Sequence, residues 1–291
     1  MKYINFRNYS NTFIFDTKID WPTFVIFWWI HWDEIAWVKV IGKIVKQLEN
    51  DEIKLLKWKL ILAYGNEKAI KLWKRQIKYN LNRIFKEPYI SEKKSEEYEI
   101  KRVQELKEIL DYWDILLDIH STSSESEPFM FAEKFLDELE IAEKIWTKKI
   151  IIWWEKIAWN LLSWDTNSYM HNFWKKAFTL ECWKHDSKDA FTVWYNISIK
   201  FLEYLWIIKE NIKKLNSKND LIEMYKIAIT KTWKFQFSKN FNNFDNINKW
   251  DLIGYDWNDK IIAKENFIIL LPNYWQLNIW EEIFYYWRKI N

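Results

Sequence analysis

Four polar residues stand at or near the ends of apolar runs. His31 and Glu34 follow PTFVIFWWI (22–30), His120 closes DILLDIH (114–120), and Glu181 lies near the end of KAFTLEC (176–182). Imidazole and carboxylate are side chains that hold zinc, and three such ligands leave a fourth position open to water. His31 and Glu34 form an H-x-x-E pair, close enough in sequence to face one cation, and His120 can supply a third ligand from a neighbouring strand. A zinc ion held in this way lowers the pKa of water toward about 7, within reach of a carboxylate base such as Glu181. Taken singly, H-x-x-E also reads as a solvated turn, and His120 as a satisfied core histidine. Cys182 is the single cysteine, which excludes an intrachain disulfide and a thiolate-rich metal site. Cys182 and His185 suggest a Cys/His nucleophile, but strand alternation turns Cys182 away from the face that presents Glu181. The thiol therefore reads as core packing.

These residues need a scaffold that brings strand ends together. After 22–30 comes a stretch, 33–50, with apolar residues at Val38, Ile41, Val45 and Leu48, the spacing of a helix face. Further buried-strand runs are WKLILAY (58–64), 114–120, TKKIIIWW (147–154) and 176–182, separated by helical stretches near 95–112, 132–145 and 187–209. The alternation predicts an α/β fold, a mostly parallel mixed sheet flanked by helices. In such sheets ligands bind beyond the carboxyl ends of the strands, where His31, His120 and Glu181 fall. KEPYISEKKSEEYE (86–99) reads as a solvated loop leading into a helix. NIKKLNSKND (211–220) reads as a linker, and beyond it TWKFQFS, KIIAK and NFIILL are short strand-like runs between Asn, Asp and Pro turns. The expected division is an α/β catalytic domain over 1–210, then a linker and a small all-β module over 211–291. There is no internal repeat.

The 44 basic and 41 acidic residues leave a net charge of +3 spread along the chain, with no footprint for nucleic acid or an anionic membrane. The longest apolar runs fall well short of a membrane span. A cytoplasmic enzyme is expected, and a homo-oligomer is compatible with the sequence. Glycine numbers 3 and tryptophan 23, whereas about 7% glycine is ordinary. Together the two make an ordinary glycine count. Many of the tryptophans also sit in turn contexts: FWWIHWDE, LLSWDTN, ECWKH, IGYDWNDK, PNYWQLNIWEE. Positive φ comes freely to glycine and not to an indole. The expectation is that UGA, printed as Trp, specifies Gly in the native protein. The alternative is a Trp-rich protein that binds sugars or a membrane interface through aromatic platforms.

GNEKAIKLWKRQIKYNLNRIF (65–85), DIHST (118–122) and TLECWKH (179–185) resemble the succinylglutamate desuccinylase/aspartoacylase family, whose members share the zinc-carboxypeptidase fold. With Trp read as Gly, the segment around His31 becomes the glycine-flanked H-x-D-E turn of that family. The resemblance runs on to the closing PNYWQLNIWEEIFYYWRK (272–289). It implies one zinc ion per chain on His31, Glu34 and His120. Glu181 would be the base toward the activated water and then the acid toward the leaving amine. Arg75 would stabilise the oxyanion, and Asn82 and Arg83 would grip the substrate α-carboxylate. Tyr285 would lean over the substrate, with Tyr286 beside it as an alternative. Two positions depart from the family. Asn80 replaces an aspartate, and His171, ten residues before Glu181, replaces the arginine with which aspartoacylases hold a side-chain carboxylate. His171 is expected to contact the substrate in its place. The implied reaction is hydrolysis of the amide bond of a small N-acyl amino acid. The alternatives are a zinc carboxypeptidase acting on short peptides, and a non-catalytic binding protein in which Trp29 and Trp32 are real and obstruct the metal.

Overall fold

The computed structural model describes residues 2–5, 12–19, 23–28, 36–56, 59–72, 74–86, 96–122, 124–134, 136–145, 148–152, 165–184, 189–209, 219–274, 277 and 279–290. His31, Glu34, His185, Trp29 and Trp32 lie outside these residues. The chain opens with strands β1 (Ile4–Asn5) and β2 (Thr12–Asp16), then β3 (Thr23–Trp28), helix α1 (Ala36–Glu49), β4 (Lys59–Tyr64), the short α2 (Glu67–Lys71) and a 3-10 turn at Leu81–Arg83. It continues through α3 (Tyr98–Asp111), β5 (Ile115–Thr122), β6 (Phe129–Phe131), α4 (Glu138–Ile145), β7 (Lys149–Ile152), α5 (Thr166–Asn172), β8 (Lys176–Lys184) and α6 (Ala190–Tyr204). The remainder is β9 (Asp220–Ile229), β10 (Phe235–Phe237), β11 (Asn246–Ile247), β12 (Leu252–Asp256), β13 (Asp259–Ile262), β14 (Phe267–Leu270) and β15 (Glu282–Ile290).

The strands form a 12-stranded sheet in the order β1-β2-β4-β3-β5-β8-β6-β7-β9-β15-β14-β11, and β10, β12 and β13 form a separate 3-stranded sheet. Its heart is the parallel set β4-β3-β5-β8. Parallel strands covered on both faces read as continuous apolar runs, which is why Leu60 to Ala63 and Ile115 to Leu117 are nearly all without solvent exposure. One face packs Leu117, Ile119, Phe178 and Leu180 against α1 and α6, through Val40, Ile41, Ile44, Trp194, Ile197 and Phe201. The other packs Leu116 and Ala177 against α3, through Val103, Leu106, Ile109 and Leu110. Truncating a fully buried residue of this core to alanine costs about 2–5 kcal/mol.

Several elements differ from the sequence reading. The helix expected over 132–145 starts only at Glu138, after β6 and a turn in which Leu136 and Asp137 take positive φ. β9 occupies the end of the expected linker, pairs with β7 and β15, and carries the central sheet across residue 210. The boundary placed there is therefore not a break in the sheet. Among the described residues no helix is long and apolar enough to cross a membrane.

Tryptophan appears repeatedly where the backbone turns left-handed. Trp174, Trp206, Trp250, Trp257 and Trp280 all have φ between 57° and 80°. After α6, the N–H of Trp206 bonds the Glu203 carbonyl and that of Ile207 bonds the Leu202 carbonyl; after α5, Trp174 and Lys175 repeat the pattern with His171 and Met170. These are Schellman motifs, whose left-handed position is most often glycine. Trp250 is the third residue of a turn closed by the Asp251 N–H on the Asn248 carbonyl, the glycine position of a type II turn. Trp257 is the first loop residue of the β12–β13 hairpin, where the favoured turns also demand positive φ. All five are 49% to 78% exposed. Trp113, Trp194 and Trp287, by contrast, fill the core and do not show positive φ.

Candidate active site

Alternation along β5 and β8 decides which side chains reach the site. His120 and Glu181 are register partners across the parallel pair β5 and β8. Asp118 and Thr179 lie two residues back, on the same face. Cys182 points the other way, is fully buried with the Phe178 and Leu180 side chains, and has its thiol pKa pushed up by burial. Its reading as a packed core thiol agrees with that position.

The face bearing His120 and Glu181 opens into a cavity of about 140 Å³ lined by Arg75, Asn82, Arg83, His120, Glu181 and Tyr285 among others. Most of the site residues expected from sequence thus meet at one place. Tyr286 turns to the opposite face, with the Lys226 ammonium 4.6 Å from its ring centroid and the Phe267 ring 4.2 Å away, so Tyr285 is the tyrosine of the site. His171 does not line the cavity. It sits near the end of α5 with Nε2 2.8 Å from Oε1 of the fully buried Glu138, which places it in the packing between α4 and α5 and not against a substrate.

The loop that carries the arginines is held at several points. Asn66 caps α2 by accepting from the Ala69 N–H at 3.2 Å, and Asn80 caps the 3-10 turn by accepting from the Asn82 N–H at 3.1 Å. Asn80 thus keeps the capping role open to a side-chain oxygen without adding a charge. The first turns of α3 clamp the same segment. Arg102 donates to the carbonyls of Tyr64 and Gly65, the Tyr98 hydroxyl accepts from the Lys68 N–H, and the buried Glu99 accepts from the N–H groups of Ile77 and Lys78. Arg75 lies two residues before Ile77, so Glu99 fixes the backbone that aims it.

Thr166 joins the two halves of the site. Its N–H donates to Asn82 Oδ1 at 3.1 Å, and its hydroxyl donates to Asp118 Oδ2. That same carboxylate oxygen lies 3.0 Å from His120 Nε2. A carboxylate against the remote nitrogen of a histidine sets the ring's orientation and leaves the other nitrogen for a metal. Asp118 was readable in the D-x-H spacing of β5, which puts both side chains on one face. Glu282 was harder to foresee: its Oε1 is 3.4 Å from Arg83 Nε, and it lines the cavity with Tyr285. Three residues apart on a regular strand they would face opposite ways. A register shift between Glu282 and Phe284 realigns them.

The electrostatics suit acid–base chemistry. Burial pushes the Glu181 carboxyl up to about 7, with Asp118 adding to the rise and His120, Arg75 and Arg83 opposing it. Its Oε2 is buried with no hydrogen-bond partner among the described residues. Burial works against the charge of Arg83, but Glu282, Tyr285 and Asp165 outweigh it and raise the guanidinium's pKa. A zinc ion fits the donor chemistry as far as it is described: His120, with Asp118 against its Nε2, shares one cavity with an unsatisfied glutamate. Among the described residues no three His, Cys, Asp or Glu side chains form a metal site by themselves. The expected set includes His31 and Glu34, which lie outside them.

Residues 20–151 match the family model of the succinylglutamate desuccinylase/aspartoacylase catalytic domain. No curated protein matches the chain by sequence. Solved structures with the same fold include the succinylglutamate desuccinylase of Vibrio cholerae, at 16% identity and a TM-score of 0.80 over 100% of this chain and 91% of that one. The enzyme of that name from Vibrio parahaemolyticus aligns at 16% identity and TM-score 0.78, over 97% of this chain and 86% of that chain. The product-bound ectoine utilization protein EutE (DoeB) of Ruegeria pomeroyi aligns at 13% identity and TM-score 0.70, over 96% and 88% respectively. Residues 20–151 thus carry the match to the succinylglutamate desuccinylase/aspartoacylase catalytic domain, and the fold across the chain is that of solved succinylglutamate desuccinylases.

Proposed function

We propose that the protein is a zinc-dependent hydrolase that cleaves the amide bond of a small N-acyl amino acid. The observation that carries this reading is the convergence of Arg75, Asn82, Arg83, His120, Glu181 and Tyr285 on one cavity at the carboxyl ends of β5 and β8. His120 would hold the metal with His31 and Glu34. When bound, zinc polarises the scissile carbonyl and lowers the pKa of water toward about 7. Glu181, raised into the same range, takes the proton from water and returns it to the leaving amine. Arg83 and Asn82 hold the α-carboxylate, and Arg75 meets the negative charge that develops on the carbonyl oxygen. Leu271, Pro272 and Tyr285, all from the C-terminal region, wall the cavity and favour a small substrate over a peptide. The test is a panel of N-acetyl, N-succinyl and N-formyl amino acids offered to zinc-loaded protein. Release of free amino acid that is lost in Glu181→Gln at unchanged zinc content supports the reading. Cleavage of short peptides with none of the panel would replace it with a carboxypeptidase.

The same proposal extends to the tryptophans. Trp174, Trp206, Trp250, Trp257 and Trp280 are taken as glycines in the native protein, because each occupies a left-handed position on the surface, while Trp113, Trp194 and Trp287 are taken as tryptophan. Peptide mass spectrometry of protein from the native source decides this position by position. Tryptophan masses throughout would sink it, and would bring back the aromatic-platform binding protein.

A further inference from the structure

Asn167 was not singled out by its sequence, yet it is the second residue of α5, lines the catalytic cavity and is only 3% exposed. Its Oδ1 has no hydrogen-bond partner among the described residues. A buried amide oxygen without a partner is costly, and such atoms are rare unless something outside the fold completes them. The neighbouring Thr166 N–H is bonded to Asn82 Oδ1, so Asn167 stands beside the clamp assigned to the α-carboxylate. The part of a substrate that extends from the α-carbon near this clamp is the amino-acid side chain, while the acyl group lies toward His120 and Glu181.

Charge narrows the choice of side chain. Arg83 already has Glu282 at 3.4 Å, and Asp165 acts on the same guanidinium while its Oδ1 accepts from the Ser168 N–H at 2.8 Å. The described lining holds the carboxylates Asp165, Glu181 and Glu282 against the cations Arg75 and Arg83. Arg83 is assigned to the α-carboxylate and Arg75 to the oxyanion, so the described lining offers no further arginine or lysine for a second substrate carboxylate. His171, which the sequence offered for that second carboxylate, is engaged with Glu138 outside the cavity. We propose that Asn167 is a specificity-determining residue and that it selects an N-acyl amino acid whose side chain carries an uncharged hydrogen-bonding group, not a carboxylate. The inference rests on the hydrolase reading above.

Near-isosteric pairs test it: N-acetylglutamine against N-acetylglutamate and N-acetylasparagine against N-acetylaspartate, with N-acetylalanine as the reference lacking a polar side chain. For zinc-loaded wild type the amide member of each pair should have the higher kcat/KM, by about 30-fold or more, because a polar subsite rejects groups that leave it mispaired. Asn167→Ala should lower kcat/KM for the amides by about 30-fold relative to N-acetylalanine measured on the same variant, a hydrogen bond's loss read as a ratio. Asn167→Arg should reverse the preference in favour of the acids. The same pairs titrated by calorimetry into zinc-loaded Glu181→Gln protein give the preference as a ratio of Kd without turnover. Wild-type preference for the acids, or an equal fall for all five compounds in Asn167→Ala, overturns the assignment while leaving the hydrolase reading intact. Failure of every compound to bind or react removes both.

Discussion

Replacing Glu181 by glutamine in metal-free protein gives a measurement that needs no substrate. The folded state holds this carboxyl's pKa at about 7 against an ordinary 4.5, chiefly through burial. A group whose proton is held more tightly when folded favours the folded state at low pH and costs stability as pH rises. Below about pH 4.5 wild type and Glu181→Gln present comparable neutral groups, and their stabilities should differ by a constant. Between the two values the wild type loses about 1.4 kcal/mol per pH unit relative to the variant, reaching about 3 kcal/mol above pH 7. Urea unfolding of both proteins in chelator, from pH 4.5 to 8, yields the difference curve. Groups that titrate alike in the two proteins cancel in it. A flat curve would show that the carboxylate ionises in the folded protein at no special cost, and the idea of burial as the device that tunes the base would be refuted. Zinc should flatten the curve in turn, because a nearby dication favours the ionised form.

The two arginines should fail differently. Arg83→Lys should mainly raise KM, since a point charge cannot reproduce a bidentate grip, and Arg75→Ala should mainly lower kcat, since its charge is needed only in the transition state; equal effects on KM alone would refute the role of Arg75. Glu99→Gln keeps shape but weakens the bonds to the Ile77 and Lys78 N–H groups, so exchange of those two amides should speed up and kcat should fall about tenfold with zinc content unchanged. His171→Ala should destabilise the fold by roughly 1–3 kcal/mol by removing a side-chain partner of the buried Glu138, which keeps the N–H groups of Ala177 and Glu133, while KM stays within twofold for every substrate. Trp206→Gly, introduced into protein made as printed, should raise stability by about 1 kcal/mol in urea unfolding by relieving a left-handed residue.

The parallel heart of the fold was legible because its strands are buried on both faces and leave an unbroken apolar signature. β3, β4, β5, β7 and β8 all fall on runs identified that way. β9 was hidden because DLIEMYKIAI alternates apolar with charged residues, half exposed, next to a polar segment that resembles a linker. The site divides along a similar line. His120 and Glu181 were readable from type and position at strand ends, whereas Arg75, Asn82 and Arg83 were implied by the family resemblance of the loop that carries them. His171 was misplaced because counting back from Glu181 cannot tell which turn of a helix reaches the cavity: His171 lies on the last turn of α5, against Glu138. Asn167, four residues earlier, reaches the cavity instead. Glu282 depended on a register shift that no spacing rule announces.

The tryptophans bear on the one part of the site that the geometry above does not reach. At Trp174 and Trp206 two different helices end in the same hydrogen-bond pattern, and at Trp250 and Trp257 two different turns use the same hand of backbone. A real indole at each would need a separate compensation for its left-handed strain, whereas glycine explains them all with one cause. The exposed placement of these side chains argues the same way, since a tryptophan that is 49% to 78% exposed buries little apolar surface for its size, whereas Trp113, Trp194 and Trp287 fill the core. Trp29 and Trp32 lie on either side of His31 in the sequence, in the segment that under the proposed function would present His31 and Glu34 to one ion. Read as glycines, they would let the backbone pass close to the metal and take the dihedral angles a short turn requires. The zinc-binding capacity of protein carrying Trp29→Gly and Trp32→Gly should therefore exceed that of the printed sequence, and equal stoichiometry would show that the indoles are accommodated in the metal turn.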